Sequence, residues 1–374
     1  MKVCFWGNIA GALNGKTDGG GELQQALLAK ALVKGGHEVV VLDFHSSEDS
    51  ITPDGIRIFR IKGWNDGLRM IRMFTHRLPK LYASLKAQKA DIYYCRIRDF
   101  RHIFAYWAAR KVKAKFILGL ASDLDAMNFS QRIKHSRFNS LWSGINGLLI
   151  ELVYPWLLKK SDLVLVQHTG QKEILQRKSV NSQVLPNLFL LNEKLQKTDN
   201  SKNNFIYIGE LNKRKGFAEF FNVVIKSPDH AFIIVGQPSD KVGFLYYNKL
   251  KSFANVTLCG RLSHTETMDQ IANSKALIST SLMEGFPNIF IEAWAYGIPV
   301  ISLYVDPGSI IEKEKLGNVC QGNIDKLIRI MNNFQFSHEF AEKAKTYVKN
   351  NHVLNANKVK EISSIFNGVL NHKD

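Results

Sequence analysis

Cysteine is scarce. The four in 374 residues, Cys4, Cys95, Cys259 and Cys320, lie far apart and match no metal-ligand or redox spacing. A cysteine-held metal or a redox pair is thereby excluded, and a reducing compartment fits. The first residues, MKVCFWGNIAG, carry one lysine and too short an apolar run for a signal peptide, and they read as a first strand. Low-complexity tracts and short-period repeats are absent. No helix-turn-helix, zinc-finger or RNP pattern occurs, so nothing supports nucleic acid as a partner. The glycine-rich stretch 15–21 contains no G-x-G-x-x-G, which excludes a dinucleotide fingerprint there. One apolar stretch has the length of a membrane span, residues 138–158 (FNSLWSGINGLLIELVYPWLL). It contains Asn139, Asn146, Glu151 and Pro155, which argue against crossing a bilayer. A helix packed on its domain fits better, or an interfacial helix with Trp142, Tyr154 and Trp156 at headgroup depth, backed by Lys159 and Lys160.

Acidic residues are outnumbered, 33 Asp+Glu against 50 Lys+Arg, for a net charge of +17. The excess is local: residues 51–160 hold 21 Lys+Arg against 7 Asp+Glu. Such a segment is a solvated basic face or a surface for an anionic membrane. Composition is otherwise that of a globular protein, 45% hydrophobic and 22% charged, and the length suits two domains.

Apolar runs that suit strands fall at 2–7, 38–43, 56–61, 92–95, 115–118, 163–167 and 183–185, with helical patterns at 22–34, 67–89 and 103–113. Residues 190–204 are polar and lysine-rich and read as a linker. The same grammar restarts beyond it. Strands at 204–208, 231–235, 256–259, 276–280 and 298–303 alternate with helices at 217–225, 243–252 and 265–273. The expected fold class is α/β: two Rossmann-like domains, 1–190 and 203–353, facing each other across a cleft. The amphipathic segment 356–370 is the last helix.

The densest chemistry lies in SLMEGFPNIFIEAWAYGIPVIS, from Ser281 to Ser302. Strand, loop, helix and strand follow one another, with Glu284 and Glu292 on either side of the turn that opens the helix. Pro287 suits the first helical turn and Gly297 its stop. The backbone N–H groups near Asn288, Ile289 and Phe290 would then face the crevice, and such a helix end attracts phosphate. Two acids beside a phosphate site suit hydroxyls, so the ligand implied is a sugar nucleotide.

A second loop, GELNKRKG from Gly209 to Gly216, joins another strand to another helix. Arg214 and Lys215 there can meet phosphates at a helix mouth, each pair at about 4 Å contributing roughly 4 kcal/mol at an effective dielectric near 20. The alternative is a solvated basic turn. In the N-terminal half, the glycines before Glu22 lack a Cβ and allow close backbone approach to a phosphate or sugar, or simply make a flexible turn.

EGFPN followed by IEAWAYGIPVIS resembles the E-x7-E signature of retaining glycosyltransferases of family 4, which have the two-domain GT-B fold. GELNKRKG resembles that family's G-R-x-(3–4)-K-G motif, with Lys215 matching the diphosphate-binding lysine and Glu210 standing where arginine is usual. Gly19, Gly20, Gly21 and Glu22, followed by GGHEVVV, resemble its G-G-x-E. The resemblance implies that Glu292 binds the ribose hydroxyls and that Glu284 stabilises positive charge on the transferred sugar. It implies that the backbone of Gly285, Phe286, Pro287 and Asn288 shapes the sugar pocket, and that the donor also meets Gly20, Gly21, Gly209, Gly260 and Ile289. Base contacts would fall on backbone around Gly260 to Leu262. The C-terminal helix, 354–374, would cross back to the first domain.

Asp123-Leu124-Asp125 spells D-x-D, a metal signature of another glycosyltransferase fold, but a structural or acceptor-contact role fits this one better. The loop GLASDLD lacks the histidine that many relatives carry near the anomeric centre, which makes Asp123 the nearest polar candidate. His168 ends another strand and stays outside the catalytic set, which is Glu284, Lys215, Arg214 and Asp123. No metal or cofactor is expected. The substrate is a UDP- or GDP-sugar, and the acceptor a saccharide or lipid-linked saccharide, as in bacterial surface-polysaccharide or lipopolysaccharide assembly. The expected location is cytoplasmic, with the inner face of the cytoplasmic membrane as the surface the basic segment would meet. Competing readings are a hydrolase with paired carboxylates, an epimerase or phosphorylase of the same fold, and a polyanion binder.

Overall fold

The structure, a computed structural model, describes residues 1–15, 19–46, 48–69, 71–128, 141–191 and 203–371. The chain divides into two compact units, Met1–Leu188 with Leu354–Asp374, and Phe189–Val353. Most of the expected linker lies outside the described residues.

In the first unit, eight strands form one sheet: β1 (Lys2–Trp6), β2 (Glu38–Asp43), β3 (Ser50–Ile51), β4 (Arg57–Arg60), β5 (Ile92–Arg96), β6 (Lys115–Gly119), β7 (Leu163–Val166) and β8 (Ser182–Val184). Their order is β3-β4-β2-β1-β5-β6-β7-β8, parallel throughout except for β3. A parallel sheet is covered on both faces, so its strands must be apolar on both. Val3 and Phe5 of β1 accordingly join one buried cluster while Cys4 and Trp6 join the other. The first cluster is closed by helix Gly20–Lys34 and by the C-terminal helix Ala356–Asn371, through Ile362, Ile365 and Phe366. That return of the chain end to the first unit matches expectation. The pattern read as one helix over 67–89 is interrupted: a π-turn, Met73–Arg77, precedes helix Leu78–Ala87. Pro79 has no N–H for the preceding turn, so the α-helix restarts around it.

The second unit has six parallel strands: β9 (Asn204–Ile208), β10 (Ala231–Val235), β11 (Val256–Gly260), β12 (Ser274–Ser279), β13 (Val300–Ser302) and β14 (Gly317–Val319). The order β11-β10-β9-β12-β13-β14 is the doubly wound 3-2-1-4-5-6 arrangement of dinucleotide-binding folds. Phe205, Phe217, Phe220 and Phe232 fill one side of the sheet, and Phe290, Trp294 and Ile298 the other. Trp294 is fully buried with its indole N–H on Leu316 O at 2.8 Å, which satisfies the one polar atom it buries.

Candidate active site

β9 and β12 are neighbours, and the strand order of the second sheet reverses between them. Ligands of open parallel sheets bind outside the strand ends at this reversal. GELNKRKG leaves β9 there, and the EGFPN bend leaves β12. Backbone contacts join the two loops. Gly216 caps helix Phe217–Ile225 with φ +64, and a Cβ on it would lie 1.8 Å from Thr280 O. Only glycine allows that approach. Thr280 Oγ1 donates to Gly216 O at 2.7 Å and Lys215 O at 3.1 Å, and Tyr207 Oη donates to Lys215 O at 3.0 Å. Asn212 Oδ1 accepts from Lys215 N at 3.0 Å, and Leu282 N donates to Arg214 O at 3.1 Å.

This scaffold aims Lys215 at Glu284. A Cβ on Gly209 would lie 3.8 Å from Lys215 Cε, and Lys215 Nζ meets Glu284 Oε1 at 2.5 Å. Arg214 Nη1 lies 3.8 Å from the same oxygen and remains largely solvent-exposed. Burial would raise the Glu284 carboxyl. The charges of Lys215 and Arg214, with hydrogen bonds from Lys215 and Ser281, overcome burial and hold it below the ordinary carboxylate range. Glu284 is therefore an anion at neutral pH. An anion there suits stabilising neighbouring positive charge.

Pro287 is the helix cap, with φ −64 and ψ 122, and the helix runs Asn288–Ala295. This corrects the placement of Pro287 in the first turn. Phe290 N donates to Pro287 O at 3.1 Å, so it is also not one of the N–H groups left facing the crevice. The nine residues from Glu284 to Glu292 are bend and then helix. Phe286, after Gly285, turns its ring into the core against Trp294 and His352 and leaves backbone at the bend. Asn288 and Ile289 are half-buried at the helix mouth. Gly260 ends β11 and its carbonyl accepts from Gly236 N at 2.7 Å, so that oxygen is already engaged within the sheet.

Glu292 lies on the helix, nearly buried, with His264 Nε2 3.7 Å from its Oε1. The Glu292 carboxylate raises the His264 pKa above 6.5, against a smaller opposing effect of burial. A raised histidine stabilises the fold fully below about 6.5 and loses that contribution as pH rises through its folded value. An NMR titration of His264 is expected to show an elevated midpoint that falls on Glu292→Gln; an unchanged midpoint in the variant removes the pairing.

Gly20, Gly21 and Asp123 belong to the first unit. The expected glycine loop is shorter there, because Gly20 and Gly21 form the first turn of helix Gly20–Lys34. Residues 16–18 of that loop lie outside the described ones. A Cβ on Gly21 would come within 2.8 Å of Ile97 Cδ1, beyond the end of β5, so the helix start is pressed onto the reversal point of this sheet. Asp123 Oδ1 accepts from His168 Nε2 and from Gln171 Nε2, both at 2.9 Å. Asp125 turns away, accepting from Ala121 N and Ser122 N and pairing with Arg98. The two carboxylates of D-x-D thus have different partners. Among the described residues no group of three His, Cys, Asp or Glu side chains could hold a metal.

Sequence reasoning missed the residues that position Lys215, namely Tyr207, Asn212 and Thr280, as well as Ser281 on Glu284 and the partners of Asp123 and Glu292. His168, outside the expected catalytic set, holds Asp123. Its place at the end of a strand, level with the Asp123 loop, was the available signal.

Two family models match the chain, one over each half. Residues 19–187 match "Glycosyl transferase 4-like domain" and residues 192–350 match "Glycosyl transferases group 1". An uncharacterized glycosyltransferase of Methanocaldococcus jannaschii is 30% identical over 191 residues, 46% of this chain and 46% of the relative. The chain thus spans about half the length of the curated relatives it matches. Sucrose-phosphate synthase of Thermosynechococcus elongatus superposes with TM-score 0.75 at 14% identity, covering 99% of each chain. HepE of Anabaena, solved with UDP and glucose, gives 0.71 at 16% identity over 98% of this chain and 99% of its own. With a glycosyl transferase 4-like first half and a group 1 second half, the chain has the two-domain build of a glycosyltransferase of the GT-B fold.

Proposed function

We propose that the protein is a retaining glycosyltransferase of family 4, moving a sugar from a nucleoside-diphosphate sugar to a saccharide or lipid-linked acceptor in bacterial surface-polysaccharide or lipopolysaccharide assembly. The observation that carries this reading is the 2.5 Å contact of Lys215 with Glu284, which unites the two loops at the sheet reversal. Lys215 and Arg214 would meet the donor diphosphate, with the helix mouth at Asn288 and Ile289 adding its dipole. Glu292 would hold the ribose hydroxyls, and the anionic Glu284 would face the sugar as positive charge grows at C1. In the transfer, the bond from C1 to the phosphate oxygen breaks. The acceptor oxygen bonds to C1 on the same face, and its proton passes to an oxygen of the departing diphosphate. No metal is proposed; Lys215, Arg214 and the helix dipole would carry that charge. Asp123, held by His168 and Gln171, is proposed as an acceptor contact.

A thermal-shift screen of sugar nucleotides tests the reading. A UDP- or GDP-sugar at 100 times its Kd is expected to stabilise the protein by about 2.7 kcal/mol, and Lys215→Ala to abolish the shift. A panel without any shift removes the proposal. Conversion of the donor without an added acceptor would favour an epimerase.

A further inference from the structure

Helix Leu141–Lys160 is apolar on two opposite faces. Tyr154, Leu157 and Leu158 face the core beside β6 and β7. Ile145, Leu148, Leu152 and Trp156, spaced three, four and four residues apart, line the opposite side and are 39–66% exposed. Those four fall within one stripe, roughly 16 Å long at 1.5 Å per residue. A helix that is hydrophobic all round ordinarily has apolar neighbours on every side. Its acid, Glu151, is withdrawn from the stripe by Arg98 at 3.1 Å. The helix ends in exposed Lys159 and Lys160.

A second element extends the same face. Leu68, Ile71 and Phe74 are 50–74% exposed. A groove of about 440 Å³ joins this segment to the helix, lined among others by Arg69, Arg72, Phe74, Phe100, Ile145 and Leu149. Among the described residues no carboxylate forms an ion pair with these arginines. Arg72 donates to Asn65 O, and Arg77 to Trp64 O and Asn65 Oδ1, which are neutral acceptors. Asp66, the nearby acid, is paired with Lys80 at 2.7 Å.

We propose that this face docks the protein on an anionic lipid bilayer, the helix Leu141–Lys160 lying in the plane of the interface with its outer stripe among the acyl chains. Arginines surrounding an exposed apolar groove match a surface that is anionic outside and apolar beneath. A second copy of this chain fits poorly, because a two-fold contact would set the same arginines against each other. No described helix is long and apolar enough to cross a membrane, so the helix would lie on the bilayer. The proposal deepens the reading of a membrane-proximal acceptor, yet the docking itself stands on this surface and not on catalysis.

Flotation with mixed phosphatidylglycerol–phosphatidylcholine vesicles tests it. The wild-type protein is expected to float with them and not with phosphatidylcholine alone, and added salt to weaken binding without abolishing it, because the stripe contributes independently of charge. Leu148→Glu with Leu152→Glu is expected to abolish flotation at every salt concentration. Arg69→Glu with Arg72→Glu is expected to lower partitioning by about tenfold or more at low salt. Circular dichroism reports whether these exposed-site variants still fold, and brominated lipid should quench the wild type more than Trp156→Phe. Wild type that ignores both vesicle types, a leucine variant that still floats, or a lipid-independent dimer dispersed by Leu152→Glu overturns the proposal. Donor binding, measured separately on Lys215→Ala, fails or succeeds without reference to flotation.

Discussion

Lys215→Ala is expected to lower kcat/KM for the sugar nucleotide on the order of 10²-fold, chiefly through donor KM, the scale of losing one preorganised charge partner. Glu284→Gln should separate from it. The amide keeps the shape of the bend and frees the lysine for phosphate, so donor affinity is expected to hold while kcat falls by about 10²–10³-fold. Initial-rate kinetics on both variants checks the split. A Lys215→Ala enzyme with unchanged donor KM would leave the lysine as a mere partner of Glu284 and end its assignment to the diphosphate.

The same substitution reports on stability. Removing one member of a buried ion pair costs about 3–5 kcal/mol. Here the loss should be smaller, since both side chains keep some solvent access and Arg214 remains 3.8 Å from the carboxylate. The sign with pH follows from the lowered Glu284 carboxyl. Its stabilisation is present above the ordinary value of 4.5 and disappears as pH falls through the folded value. The stability gap between wild type and Lys215→Ala is therefore expected to close in acid, as followed by denaturant unfolding across pH.

Gly216→Ala is expected to be the most damaging small substitution in the second unit. The residue sits at φ +64, where a side chain costs about 1–2 kcal/mol by itself. The added methyl would also meet the Thr280 carbonyl at 1.8 Å, and backbone on both sides has little room to yield. A total loss of about 3–5 kcal/mol follows, or roughly 10 °C in the melting transition of a unit this size. Because Thr280 holds both Gly216 and Lys215, the damage should reach donor binding too. A variant melting within a degree or two of wild type would mean the two loops do not depend on this contact.

The architecture was legible because alternating strand and helix signals follow from local physics. Val3 and Phe5 against Cys4 and Trp6 show why: in a parallel sheet both faces are buried, so strands read as unbroken apolar runs. Where local signals competed, boundaries moved. Pro79 split one expected helix, Pro287 capped its helix instead of entering it, and Gly20 and Gly21 folded into a first turn that glycine composition disfavours. The motif residues Lys215 and Glu284 were legible as types, but their contact was not. They lie 69 positions apart.

By itself, the sequence determined two α/β units and the residue types that could hold an activated sugar, because periodicity and turn chemistry are encoded within a few neighbouring residues. Only the tertiary structure decided that β9 and β12 lie side by side, and with them that Lys215 reaches Glu284 while Thr280 and Tyr207 fix its backbone. It likewise decided that His168 holds Asp123 and that one face of helix Leu141–Lys160 stays uncovered. Strand order is settled by the burial of both sheet faces across the whole unit, and that information resides in no short stretch of chain.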